Sequence, residues 1–232
     1  MALFATMEHV TEGQFRLRSF RLRGDRMTKA QSEALSSHWN KFEIPLQGQI
    51  NPRELFPSLN PNEVVFEIGS GMGEATSQIA ANNPETGYVA IEVHRLGIGA
   101  LIIRAENLGV RNLKIINADV YEVLTKHVAD ESIDAFHIFF PDPWPKRAQH
   151  KRRLLQPSFI EILAKKLKPN GRINIATDWY PHAQEIEKHF KANKDFSGGV
   201  IPRPQWRPLT KFESKGIAKE HVVTDFEYRR KP

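Results

Sequence analysis

No cysteine occurs among the 232 residues, which excludes disulfides, thiolate metal sites and a cysteine nucleophile, and suits a reducing compartment. No apolar run approaches the roughly 20 residues that a membrane-spanning helix needs. The opening MALFATMEHV lacks a basic segment followed by an apolar core, so no signal peptide is expected. Internal repeats and low-complexity runs are missing as well. The nine histidines show no ligand-like spacing, and no metal is expected. These absences leave an expectation of a soluble, cytoplasmic protein without membrane association.

Neither sign of charge dominates. Lys and Arg number 33 against 27 Asp and Glu, and the net +6 favours a polyanionic partner without proving one. Hydrophobic residues make up 40% and charged ones 26%, a globular composition that excludes wholesale disorder. At about 150 residues per domain, the length suits one α/β domain with extensions better than two separate cores.

Residues 1–27 carry Arg16, Arg18, Arg21, Arg23 and Arg26 around few apolar anchors, and are expected to form an extended basic arm. Thr28 with Gln31 three positions on is a capping-box signal, which predicts a helix running to about Asn40. The segment from Pro45 to Pro61 holds four prolines and reads as a linker. The expected division is therefore an arm, helix and linker over 1–60 and a core domain over 61–232.

From Glu63 onward, apolar β-branched runs alternate with helical patterns. Strands are expected at 64–68, 88–93, 113–119, 133–140 and 171–178, with a final antiparallel strand in 222–230. Helices are expected between them, including one from about Arg152 to Leu167 in which Pro157 marks a break or a fresh first turn. Strictly alternating strands and helices predict a mostly parallel, doubly wound, Rossmann-like α/β sheet covered on both faces.

The first strand runs into Glu67-Ile-Gly69-Ser-Gly71-Met-Gly73 and then a helix. Glycines at such a turn let backbone amides approach a ligand closely. Dinucleotide sites use G-x-G-x-x-G, with a pyrophosphate at the helix N-terminus. Here the spacing is G-x-G-x-G between Glu67 and Glu74, carboxylates that would repel phosphate but suit a cationic ligand. S-adenosylmethionine, with a sulfonium, an ammonium and no phosphate, fits that description. Glu92 ends the second strand, where an acidic side chain can take both ribose hydroxyls. Asn117, Ala118 and Asp119 end the third, where an adenine amino group would lie. Any one of these carboxylates could be a helix cap; three on consecutive strand ends point to an S-adenosylmethionine-dependent methyltransferase.

The fourth strand leads into Phe139-Phe140-Pro141-Asp142-Pro143-Trp144-Pro145-Lys146, a loop stiffened by three prolines. Trp144 could simply cap the core. Lys146, Arg147, His150, Lys151, Arg152 and Arg153 follow without a carboxylate between them, either a solvated face or a phosphate-binding rim.

These stretches resemble the bacterial tRNA (guanine-N7)-methyltransferase family. The resemblance spans nearly the whole chain and rests on LRSF (17–20), FEIGSGMGE (66–74), FPDPWPK (140–146), ATDW (176–179) and RPLTKFE (207–213). It implies a class I methyltransferase that places a methyl group on N7 of a guanine at variable-loop position 46 of tRNA. It also implies that Glu67, Glu92, Asp119 and Asp142 line the donor site, with Asp142 catalytic. Lys146, Asp178, Thr210, Lys211, Phe212 and Glu213 match substrate-binding positions, and Arg147, Ala148, Gln149, His150, Lys151, Arg152 and Arg153 match an RNA-contacting segment. Asp178 could also be a helix cap, and Thr210 with Glu213 has capping-box spacing. Nothing in the resemblance requires a partner protein; monomer and homodimer both stay open.

The chemistry agrees with that resemblance. Guanine N7 carries a free lone pair, so no base is needed to expose it. Carbon-5 of cytosine usually needs a cysteine nucleophile, and an adenine amino acceptor calls for an Asn/Asp-Pro-Pro-aromatic loop, not Pro-Asp-Pro-Trp. Asp142 is expected to stabilise the ring charge that develops at N7, or to orient the base. Three alternatives remain: a methyltransferase for another RNA or a small molecule, a nicotinamide-dependent oxidoreductase, and a non-catalytic RNA-binding subunit.

Overall fold

The computed structural model describes residues 17–21 and 26–232. Arg16 and Arg23 of the expected basic arm lie outside the described residues. Helix α1 (Lys29–Phe42) begins where the capping box places it. The Thr28 side chain accepts from the Gln31 N–H, and the Gln31 side chain accepts from the Thr28 N–H. Then follow β1 (Glu63–Ile68), α2 (Glu74–Asn82), β2 (Thr86–Ile91), α3 (Arg95–Asn107), β3 (Leu113–Ile116) and α4 (Val120–Glu122). A single π turn (Val123–His127) extends α4. The second half comprises β4 (Ile133–Phe139), α5 (Pro157–Lys166), β5 (Leu167–Thr177), α6 (Tyr180–Ala192), β6 (Phe196–Ile201), α7 (Lys211–Ile217) and β7 (Thr224–Arg230).

The seven strands form one sheet in the order β3-β2-β1-β4-β5-β7-β6. The pairs from β3 through β5 are parallel, and β7 runs antiparallel to both β5 and β6. The order reverses between β1 and β4, so a crevice opens at the carboxyl ends of those two strands. Alternating residues of β1 face opposite layers. Val65 packs with Leu35, Ile79 and Leu101 from α1, α2 and α3, while Val64 and Phe66 pack with Phe159, Ile160 and Ile186 from α5 and α6.

Several details depart from the sequence expectations. The basic stretch and the fifth helix are separate: a 3₁₀ helix (Arg147–Arg152) precedes α5, and Pro157 stands at its first position, where the missing N–H costs nothing. The edge strand β6 carries no sequence signal, because FSGGVI has two glycines and is buried only at Phe196. The proline-rich stretch before β1 is packed rather than free, since Ile44, Ile50 and Phe56 are buried in the core. Among the described residues no helix is long and apolar enough to cross a membrane.

Candidate active site

The crevice at the switch point holds a cavity of about 530 Å³. Its walls come from the glycine loop (Gly69, Gly71, Met72), the end of β2 and start of α3 (Glu92–Gly97), Ala118 and Val120, the β4 exit (Phe139–Asp142) and Ser19–Arg21. Residues far apart in the chain thus converge there: Gly69, Gly71, Glu92, Ala118 and Asp142, all expected at the donor site, share one cavity.

The glycine loop is held by its own backbone. Gly69, Gly71 and Gly73 have φ of 77°, 55° and 72°, left-handed values that a side chain would resist. Gly73 also leaves no room for a Cβ, which would lie 2.7 Å from the Leu101 Cα. Glu92 fastens the loop to α3: Oε2 accepts from the Gly71 N–H at 2.7 Å, and Oε1 accepts from Val93 and His94 N–H at 2.8 and 2.9 Å. Its carboxylate is thus an organiser of the loop as well as a wall of the cavity. Gly97, which sequence reasoning passed over, is the contact point, because a Cβ there would lie 2.3 Å from the Gly71 carbonyl oxygen.

Three expected donor-site groups stand behind the wall. Glu67 is 3% exposed, and its Oε2 has no hydrogen-bond partner among the described residues. Burial pushes its carboxyl up to about 7, the Thr76 hydroxyl pulls it down, and the Glu92 charge adds a smaller upward push. Asn117 donates to the Glu92 carbonyl at 2.8 Å. Asp119 caps α4 by accepting from the Tyr121 N–H at 2.9 Å.

Asp142 lies on the cavity wall and accepts no hydrogen bond from a described residue. Its neighbours Phe140 and Trp144 both have positive φ, 51° and 43°. Trp144 is buried with its indole N–H donating to the Ser19 carbonyl at 3.0 Å, and the Arg21 and Arg152 guanidinium groups lie 4.7 and 5.3 Å from its ring centre. The LRSF segment is therefore a structural neighbour of the proline-rich loop.

The basic run divides. Lys146, Arg147, Ala148 and Lys151 are exposed, while Gln149, His150 and Arg152 are half-buried. Arg153 departs from the expected RNA-contacting role: it is 3% exposed, donates from Nε to the Pro143 carbonyl at 2.8 Å and pairs with Glu185 of α6. Its side chain is buried between that carbonyl and that half-buried carboxylate.

The TKFE segment also divides. Thr210 caps α7 by accepting from the Glu213 N–H at 3.2 Å. Glu213, expected at the substrate, is instead buried and held by Arg207 at 2.8 and 2.9 Å and by Arg203 at 3.2 Å. Arg207 also binds Asp225 of β7 through two nitrogens, so one buried guanidinium ties α7 to the sheet. Lys211 donates its backbone N–H to Glu74 at 2.9 Å, which draws this segment to the glycine loop. Phe212 is exposed and its ring lies 5.3 Å from that of Phe140. Asp178 accepts from His221 Nδ1 at 3.1 Å, a partner that no sequence motif pointed to.

A sheet of this order, with a glycine loop and the Glu92 and Asp142 carboxylates at its switch point, defines a class I methyltransferase fold. Among solved structures, the 16S rRNA methyltransferase KamB shares that fold with a TM-score of 0.57 at 16% identity, covering 80% of this chain and 95% of that one. A family model described as "Putative methyltransferase" matches residues 61–226.

The chain belongs to the tRNA (guanine-N7)-methyltransferase family. It is 42% identical over 221 residues to the tRNA (guanine-N(7)-)-methyltransferase of Streptomyces avermitilis, covering 93% of this chain and 76% of that one. The Pasteurella multocida protein of the same name is 41% identical over 233 residues, covering 97% and 90%.

Proposed function

We propose that the chain transfers a methyl group from S-adenosylmethionine to N7 of a guanine at variable-loop position 46 of tRNA. The observation that carries this reading is that Asp142 shares one cavity with the glycine loop and Glu92, in a chain of this family. The cavity volume, about 530 Å³, suits a ligand of nucleoside-amino-acid size. The Glu92 and Asp142 carboxylates on its wall suit the cationic part of such a ligand, beside Arg21 and Arg95. When bound, S-adenosylmethionine supplies a methyl group on a positively charged sulfur. Gly69, Gly71, Glu92 and Ala118 would hold it, with Glu67 and Asp119 supporting from behind.

Asp142 acts on the acceptor. N7 needs no deprotonation, and the purine ring gains positive charge as the bond forms. A carboxylate facing that ring stabilises the developing charge, or accepts the N1–H and amino hydrogens and fixes the base in line. Lys146, Arg147, Lys151 and Arg152 supply the phosphate-binding rim. N7 sits on the major-groove edge, which is closed to side chains in A-form RNA, so the target guanine must come from a loop or be drawn out of its tertiary contacts.

The test is incubation of unmodified tRNA with labelled donor, followed by borohydride and aniline cleavage. Cleavage at position 46 is expected. Cleavage elsewhere, or label without cleavage, would overturn the assignment.

A further inference from the structure

Asp142 sits in a stretch of chain with little freedom of its own. Pro141 and Pro143 lock two φ angles near −65°, and each proline also restricts the residue before it. Phe140 and Trp144, on either side, hold φ of 51° and 43°. Non-glycine residues adopt such values where their surroundings impose them, at a cost of about 1–3 kcal/mol each. Three attachments do so here. The Phe140 N–H donates to the Ala176 carbonyl at 2.7 Å, the Trp144 indole to Ser19 at 3.0 Å, and Arg153 Nε to the Pro143 carbonyl at 2.8 Å. Only the last acts on the residue directly after Asp142.

Arg153 is an expensive way to make one hydrogen bond. It is a buried cation whose Nη2 finds no partner among the described residues, and its charge is met by Glu185 from a different element. Burying a charge with one nitrogen unsatisfied stabilises a fold poorly. As an orienting device the arrangement makes sense, because a guanidinium donates from fixed directions and can hold a carbonyl and a carboxylate at once.

We infer that Arg153 is a positioning residue for Asp142: anchored by Glu185, it fixes the Pro143 carbonyl and with it the direction of the Asp142 carboxylate. This rests on the role of Asp142 proposed above. A loop shifted by about 1 Å loses on the order of 10²-fold in rate when a reacting pair must be aligned.

The test measures single-turnover methylation of unmodified tRNA at saturating donor, donor affinity by calorimetry, and the salt dependence of tRNA binding. Arg153→Met should lower the rate about 10²-fold, with donor affinity and the salt slope of tRNA binding unchanged. Arg153→Lys should fall between it and the wild type, since it keeps the charge but loses the planar fork. In an Asp142→Ala background, Arg153→Lys should have no further effect on the residual rate, whereas a merely structural role would lower both backgrounds alike. Should Arg153→Met fail to fold, Arg153→Lys and its double variant decide the matter. Wild-type rate in Arg153→Lys beside an inactive Asp142→Ala overturns the inference. Unchanged rate with a smaller salt slope overturns it too, in favour of an RNA contact. If Asp142→Ala itself keeps the wild-type rate, the failure lies in the reading of Asp142.

Discussion

The first turn of α3 and the glycine loop meet backbone to backbone, with the Cβ position of Gly97 lying 2.3 Å from the Gly71 carbonyl oxygen. Neither partner is a flexible side chain that could step aside. Gly97→Ala must therefore displace the loop that walls the cavity. The expected result is a donor dissociation constant raised at least about tenfold, or 1.4 kcal/mol. Calorimetric titration beside a thermal melt checks it, and wild-type affinity would show that the loop can yield.

Replacing Asp142 by Ala or Asn should cut turnover by about 10²-fold or more at saturating donor, the usual cost of losing one contact to developing charge. Asn keeps the shape but loses the charge and one of the two acceptor oxygens, so near-wild-type turnover in Asn would exclude both charge stabilisation and paired acceptance from the guanine edge. Rapid-quench measurement of the first turnover separates this from slow product release.

Glu67 makes stability depend on pH. Its carboxyl ionises near 4.5 when unfolded and near 7 when folded, so between those values the folded state keeps a proton that the unfolded state has lost. Its contribution to stability therefore falls as pH rises from 4.5 to 7 and stays lower above that. Glu67→Gln removes the dependence. Without donor, the variant should match the wild type below about pH 4.5 and melt progressively higher towards pH 7, by about 3 °C for each kcal/mol recovered. A melting-temperature difference independent of pH would contradict this origin.

Binding of tRNA should weaken steeply with salt, by roughly 0.7 to 0.9 log units per phosphate contact for each tenfold rise in concentration. Lys151→Glu should lower that slope by about one contact or more while leaving donor affinity alone. Filter-binding or fluorescence titrations across a salt series provide the slope. A nearly flat response would remove the basic rim from the account.

Arg207 joins Glu213 and Asp225, all three buried. Arg207→Met leaves the buried Asp225 without a cation among the described residues and Glu213 with Arg203 alone, which should destabilise the protein by about 3–5 kcal/mol. Denaturant unfolding measures the loss. A change below about 1 kcal/mol would mean that water or Arg203 can replace the missing charge.

Features set by local forces were legible in the sequence. Apolar runs such as VVFEI, the glycine spacing after it and the Thr28 capping box act within a few residues, and the corresponding elements stand where the sequence puts them. The crevice followed from the alternation of strands and helices, because parallel pairing brings every strand's carboxyl end to one edge of the sheet. By contrast, β6 left no trace, since an edge strand with two glycines lacks the alternation that reveals its neighbours.

By itself, the sequence determined the doubly wound sheet, the glycine loop and the identity of the chemical groups brought to its edge. Only the tertiary structure decided what each charged group does. Arg152 and Arg153 are the same residue type one position apart, yet one lies against the Trp144 ring and the other is buried on Glu185, 32 residues further along the chain. Arg207 likewise is buried on Asp225, 18 residues further along the chain. The reason is that the fate of a charge depends on whether an opposite charge waits inside, and that partner is supplied by a distant segment that folding alone brings near.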